Sequence, residues 1–189
     1  AGMVVTLMDW GATLLSARIP LSDGSVREAL LGCASPECYQ DQAAFLGASI
    51  GRYANRIANS RYTFDGETVT LSPSQGVNQL HGGPEGFDKR RWQIVNQNDR
   101  QVLFALSSDD GDQGFPGNLG ATVQYRLTDA DRYPQLNGEG SGSWSGNLKG
   151  DSATTREFST GLNASFDLDF FGRLKNMSEA ERQNYLATE

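Results

Sequence analysis

Two short segments hold the side chains best suited to chemistry. Gly51-Arg52-Tyr53-Ala54-Asn55-Arg56-Ile57 sets Asn55 beside Arg56. Asn78-Gln79-Leu80-His81-Gly82-Gly83-Pro84-Glu85-Gly86 carries His81, the single histidine of the chain. Arg and Asn supply a dense set of planar N–H donors, and an imidazole can bond a hydroxyl through either nitrogen. The glycines let backbone come close to a ligand. Such a set suits a polyhydroxylated ligand; the plainer alternative is a turn with surface Arg and a structural His. The acidic loop from Asp109 to Leu119 has the spacing of neither an EF-hand calcium loop nor a phosphate loop. Gly138, Gly140 and Gly142 precede no helix and make no cofactor motif. Cys33 and Cys38 have no further ligands near them, so they read as free thiols, with a disulfide as the lesser alternative, and not as a metal site. No metal and no cofactor is implied.

The elements that must position these residues are strands. Met3 to Met8 and Thr13 to Ile19 flank a break at Gly11. Ser22-Asp23-Gly24-Ser25 is a hairpin turn by composition, with Val26 to Leu31 as the returning strand. Tyr62 to Phe64 and Thr68 to Leu71 flank Asp65-Gly66, the strongest hairpin signal present. Trp92 to Val95 and Gln101 to Ser107 form another pair. From Ala121 to Leu127, Val123, Tyr125 and Leu127 alternate with polar residues. Short strands punctuated by Gly, Asn and Asp predict an antiparallel β-sandwich. Ser35-Pro36-Glu37 predicts at most one helical turn.

With 189 residues the chain amounts to one domain and a fraction at roughly 100–200 residues each. Nine Phe, six Tyr and three Trp are ample for a core, which argues against disorder. The net charge of −7 divides into −4 over residues 1–130 and −3 over residues 131–189, so neither part offers nucleic acid a basic field. Lys89-Arg90-Arg91 reads as a solvated turn. No apolar run is long enough for a transmembrane helix, which does not exclude membrane β-strands. The opening Ala1-Gly2-Met3-Val4-Val5 has no initiator Met and no signal peptide. With the closing Ala187-Thr188-Glu189, it reads as a segment cut from something longer.

The character changes near residue 130. Residues 131–150 become rich in Gly, Ser and Asn, as a linker would. Residues 158–170 then alternate cleanly: Phe158, Leu162, Ala164, Phe166, Leu168 and Phe170 fall on one face, interrupted only by Thr160. That is a long strand with one apolar side, fit for a sandwich or for a membrane barrel. Ser178-Glu179-Ala180-Glu181 predicts the start of a short C-terminal helix.

Taken together, the motifs resemble the aldose 1-epimerase (galactose mutarotase) family over residues 1–128. The likeness lies in Asn55-Arg56 within Gly51–Ile57, in Leu80-His81-Gly82-Gly83, and in Gly114-Phe115-Pro116-Gly117 within Asp109–Leu119, in matching order and spacing. The resemblance implies a mainly β, cytoplasmic, cofactor-free sandwich, truncated here, in which Asn55, Arg56 and His81 contact a hexose such as galactose or glucose. It also implies a Glu that takes the anomeric hydroxyl proton and a second His that protonates the ring oxygen, so that the ring opens and recloses on its other face. Both lie beyond the matched part in that family. Here the only histidine is His81, and Glu139, Glu157, Glu179, Glu181 and Glu189 sit in no matching context. The catalytic residues are therefore unknown, and a non-catalytic fragment with at most weak sugar binding is expected. An active mutarotase and a ligand-free composite are the alternatives.

From about Asp131 the chain resembles outer-membrane factors of tripartite efflux systems of the copper/silver kind. Asp131 to Leu136 and Phe166 to Arg173 carry that likeness. It implies barrel strands at Tyr133–Trp144 and Glu157–Leu168, added to the first part as a β-hairpin. The chain thus reads as a fusion of two fragments: 1–130, a truncated sandwich segment, and 131–189, a hairpin with a helix start. No functional membrane insertion follows from so short a piece. Exposed sheet edges would favour homo-oligomers through strand pairing.

Overall fold

The computed structural model describes residues 2–129, 134–148 and 156–168. It is mainly β, with antiparallel pairing throughout the named strands. Strands β1 (Val4–Met8), β2 (Thr13–Pro20) and β3 (Val26–Glu28) form one sheet in that order. The expected return strand stops at Glu28, short of Leu31. Its own side chain explains the stop: the Glu28 carboxylate accepts from the Ser16 hydroxyl and from the Ala17 and Leu30 N–H groups. A side chain thereby takes over donors that a longer ladder would use.

The predicted helical turn is α1 (Cys38–Asp41). Beside it the expectation of free thiols fails, because Cys33 and Cys38 form a disulfide. The turn brings their Cα atoms to 5.8 Å, inside bridging range, and the Tyr39 hydroxyl accepts from the Cys33 N–H. Two short pairs follow. Strand β4 (Arg56–Ile57) pairs with β7 (Gln79–Leu80), and β5 (Arg61–Phe64) pairs with β6 (Glu67–Thr70) across Asp65-Gly66. Asp65 and Gly66 both have positive φ, as a two-residue hairpin turn requires.

The rest is a meander. Strands β8 (Gln93–Asn98), β9 (Gln101–Ser108), β10 (Asn118–Asp129), β11 (Pro134–Leu148) and β12 (Arg156–Leu168) lie side by side in one five-stranded sheet. The stretch that composition marks as a linker is thus largely strand β11. It pairs with β10 over twelve residues, from Asn118 opposite Ser145 to Asp129 opposite Pro134. Of the predicted strand 158–170, residues 158–168 belong to β12. Residues 169–170 and the helix start after Ser178 lie outside the described residues.

One core joins the sheets. Leu14 of β2, Val102 and Phe104 of β9, Ala121 and Tyr125 of β10, and Phe87 and Trp92 from the preceding loop are buried in a single cluster, with Val5 and Leu7 of β1 packed on it. The Tyr125 hydroxyl donates to the Ala12 carbonyl at 3.2 Å, and the Trp92 indole donates to the Phe87 carbonyl at 3.0 Å. Both aromatics therefore bury their polar ends with partners. Among the described residues, no helix is long and apolar enough to cross a membrane.

Candidate functional site

Two-residue strands do the positioning. The β4/β7 pair sets Arg56 opposite Leu80, so Asn55 and His81 become neighbours although 26 positions separate them. Their backbones lock together, since the His81 N–H donates to the Asn55 carbonyl at 3.0 Å. The Asn55 N–H donates in return to the imidazole Nδ1, also at 3.0 Å. An accepting Nδ1 in a neutral imidazole leaves the proton on Nε2, so His81 offers a donor there. Gly82 follows at φ 92°, and a Cβ there would overlap the Gly51 carbonyl. Only glycine lets the two segments close on each other at this point.

Arg56 is held too. Its Nε donates to Gln75 Oε1 at 2.6 Å and its Nη1 to Asn55 Oδ1 at 3.2 Å. This leaves Nη2 of Arg56, the amide N–H groups of Asn55 and Nε2–H of His81 as a cluster of donors on a largely exposed surface. The three residues singled out in the sequence are therefore brought together. Sequence reasoning misses Gln75, since nothing in Ser72-Pro73-Ser74-Gln75-Gly76 beyond a turn signal marks it. It misses Phe45 as well, whose ring centroid lies 4.5 Å from that of His81.

A second network supports the loops. The Arg52 guanidinium donates to Ser108 Oγ and to the carbonyls of Ser108, Asp109, Pro116 and Gly117. Arg90, expected in a solvated turn, is instead half-buried in a bidentate pair with Asp112, which also accepts from the Ser108 hydroxyl. Burial opposes the charge on Asp112. The Arg90 and Ser108 hydrogen bonds, with the charges of Arg90 and Arg52, outweigh it and hold the carboxyl below its ordinary value.

Asp88 runs the other way. It is buried, its Oδ1 has no partner among the described residues, and burial raises its pKa above 3.8 against the weaker pulls of the Lys89 charge and its own backbone N–H. Both folded and unfolded chains are protonated there well below pH 3.8, so no penalty exists. The penalty grows as pH rises through the raised folded value. Asp88→Asn is therefore expected to stabilise the fold by about 1 kcal/mol at neutral pH. The gain should vanish below pH 3.8. Urea unfolding at both pH values checks this, and a pH-independent difference would contradict it.

A groove of about 200 Å³ lies elsewhere, between β1 and the five-stranded sheet, walled by Val5, Leu7, Val102, Tyr125 and Leu127. Polar residues, Asp9, Asn98, Asp99 and Gln101 among them, share its walls, but none of Asn55, Arg56 and His81 lines it, so the candidate site stays with the donor cluster. Among the described residues no group of His, Cys, Asp and Glu is arranged to hold a metal ion.

Comparison with known proteins divides the chain in two. The family model described as aldose 1-epimerase matches residues 1–136, and that described as outer membrane efflux protein matches residues 120–189. Aldose 1-epimerase of Escherichia coli K12 is 98% identical over 132 residues, 70% of this chain and 38% of that protein. Cation efflux system protein CusC of Escherichia coli O6:H1 is 97% identical over 69 residues, 36% of this chain and 15% of that protein. The chain thus spans well under half the length of the relatives it matches. Among solved structures, the GalM/aldose epimerase homologue from C. elegans superposes with a TM-score of 0.69 at 29% identity, over 84% of this chain and 48% of that one. A galactose 1-epimerase from Lactobacillus acidophilus gives 0.63 at 27%, over 77% and 45%. Because the first family's model matches residues 1–136, most of this chain, with a shorter efflux-protein-like segment after it, the chain belongs to the aldose 1-epimerase family.

Proposed function

We propose that the chain is a hexose-binding fragment without mutarotase catalysis, in which residues 1–130 carry the sugar contacts and residues 131–189 serve as structure. The carrying observation is the donor cluster of Asn55, Arg56 and His81, ordered by Gln75 and by mutual backbone bonds. Fixed N–H donors suit the lone pairs of sugar hydroxyls. The reaction of the family needs a second histidine as acid, and the chain has only His81. Binding without a positioned acid and base gives no acceleration of ring opening. The cytoplasm, where the sandwich family works by resemblance, is the compartment proposed for the first segment.

Polarimetry of α-galactose tests this. Mutarotation with the chain is expected to equal the buffer rate, while galactose shifts the His81 and Asn55 resonances at millimolar concentration and Arg56→Ala weakens that binding about tenfold. A rate above buffer that His81→Ala abolishes would establish the active enzyme instead. Shifts that survive both substitutions would place any sugar elsewhere.

One observation favours a second reading, a strand-complemented composite with no ligand. Strand β11 covers the whole length of β10 and is itself covered by β12. On that reading the edge of β12, outermost among the described strands, would pair with a second copy, and solution mass at rising concentration would report it.

A further inference from the structure

We propose that Phe45 is a positioning residue for His81, pinning the imidazole so that Nε2–H is the donor presented to a sugar hydroxyl; this rests on His81 belonging to the sugar site. Two observations point to Phe45. Its ring meets the imidazole edge-on, with an interplanar angle of 61°. Its backbone stands at φ 54°, in the left-handed region where a bulky residue is an outlier. Asn55 and His81 share that region, at φ 68° and 51°. Left-handed backbone thus recurs at each residue that holds or carries the imidazole.

The turn that bears Phe45 is anchored from several sides. The Ala48 N–H donates to the Phe45 carbonyl, the Leu14 N–H to Gly47, and the Ser49 N–H to Gly11. Gln42 Oε1 accepts from the Ala44 and Leu46 N–H groups. Gly47 sits so close that a Cβ would overlap the Leu14 carbonyl. The strain at Phe45 is therefore imposed by a turn fastened to β2, and the ring so held lies outside the buried core cluster. Its use is the contact with His81. Without it the imidazole keeps one restraint, the Asn55 N–H at Nδ1, about which the ring can pivot or exchange tautomers.

Because His81 is the only histidine, the full chain labelled with 15N-histidine gives one imidazole signal set. In the unsubstituted chain we expect nuclear Overhauser contacts between the Phe45 ring and the imidazole C–H protons. At mildly alkaline pH we expect one protonated and one bare nitrogen, the bare one being Nδ1. Phe45→Leu is expected to draw the two nitrogen shifts together while the amide spectrum of the five-stranded sheet stays put, and to weaken galactose binding roughly three- to tenfold. Phe45→Tyr should retain the original pattern and affinity. Absence of the Overhauser contact, or an imidazole pattern unchanged in a folded Phe45→Leu, overturns the proposal. The Overhauser contact needs no variant, so it decides the matter even where the Leu variant fails to fold. Should the imidazole respond to Phe45 while galactose shifts nothing, the positioning stands and the sugar reading falls.

Discussion

Arg52→Met is expected to cost about 3 kcal/mol of stability, and to weaken any sugar binding along with it. The guanidinium spans the loop before Asn55-Arg56 and the loop from Ser108 to Gly117, segments 56 to 65 positions apart in sequence. It donates five hydrogen bonds, four of them to backbone carbonyls. Methionine fills part of the volume and returns none of these donors, so half-buried carbonyls lose a charged partner together. Charge-assisted bonds contribute about 1.5–3 kcal/mol each, but five on one side chain are strongly non-additive, which sets the lower figure. Arg52→Lys should recover only a small part, because three donors on a point charge cannot reproduce a planar fork. Asp112 sharpens the test. Its carboxyl lies below its ordinary value, so its contribution is present above pH 3.8 and is lost as pH falls through the depressed folded value. Urea titrations of the two variants and the parent, repeated in acid, should therefore show a smaller Arg52→Met effect at low pH. A loss under about 1 kcal/mol at neutral pH would mean that the two loops are held by other contacts.

Local signals are legible in the sequence and distant partnerships are not. Asp65-Gly66 announces its hairpin because turn geometry is settled by the two residues themselves. The alternation of Val123, Tyr125 and Leu127 likewise announces β10. Asn55, Arg56 and His81 stand out as residue types in glycine-rich segments, yet only the β4/β7 pair makes them neighbours. Arg90 looks solvated in sequence because its partner Asp112 lies 22 positions away. The cysteines look free because their approach depends on how α1 folds the intervening turn. Gln75 and Phe45 give no signal at all, since a hydrogen bond to Arg56 and a ring contact with His81 are properties of the closed loop cluster. Residues 131–150 mislead by composition. Glycine and serine suit a linker, but here glycines recur at alternate positions, and that period belongs to a strand.

Removal of residues 131–189 is expected to abolish cooperative, monomeric folding of what remains. The two family matches overlap at residues 120–136, which span most of β10 and the start of β11, so the join falls inside a β-hairpin. Register carries one pattern across it. Val102, Tyr125, Gly138 and Phe166 occupy one row, and Phe104, Val123, Gly140 and Ala164 the next. Leu106, Ala121, Gly142 and Leu162 make the next row, two residues further along. In each row a glycine of β11 stands opposite a β10 residue that belongs to the core or packs on it. Without β11, the twelve residues of β10 become an open edge. Water can satisfy the freed N–H and C=O groups, so the ladder alone does not decide the outcome. The decisive loss is at the apolar face, where Ala121 and Tyr125 belong to the buried core and Val123 and Leu127 pack on it. An open edge bordering an apolar face templates pairing with another chain, and aggregates or edge-paired dimers are expected. Ser141→Pro makes the same test at full length. Ser141 stands between Thr122 and Asn163 in a central strand, where proline removes a ladder donor that one neighbour needs. Light scattering and amide exchange across β10 read both changes, which should raise the solution mass and strip β10 of its protection. A soluble, monomeric segment 1–130, as stable as the whole chain and with β10 still protected, would show that the efflux-like hairpin holds nothing together.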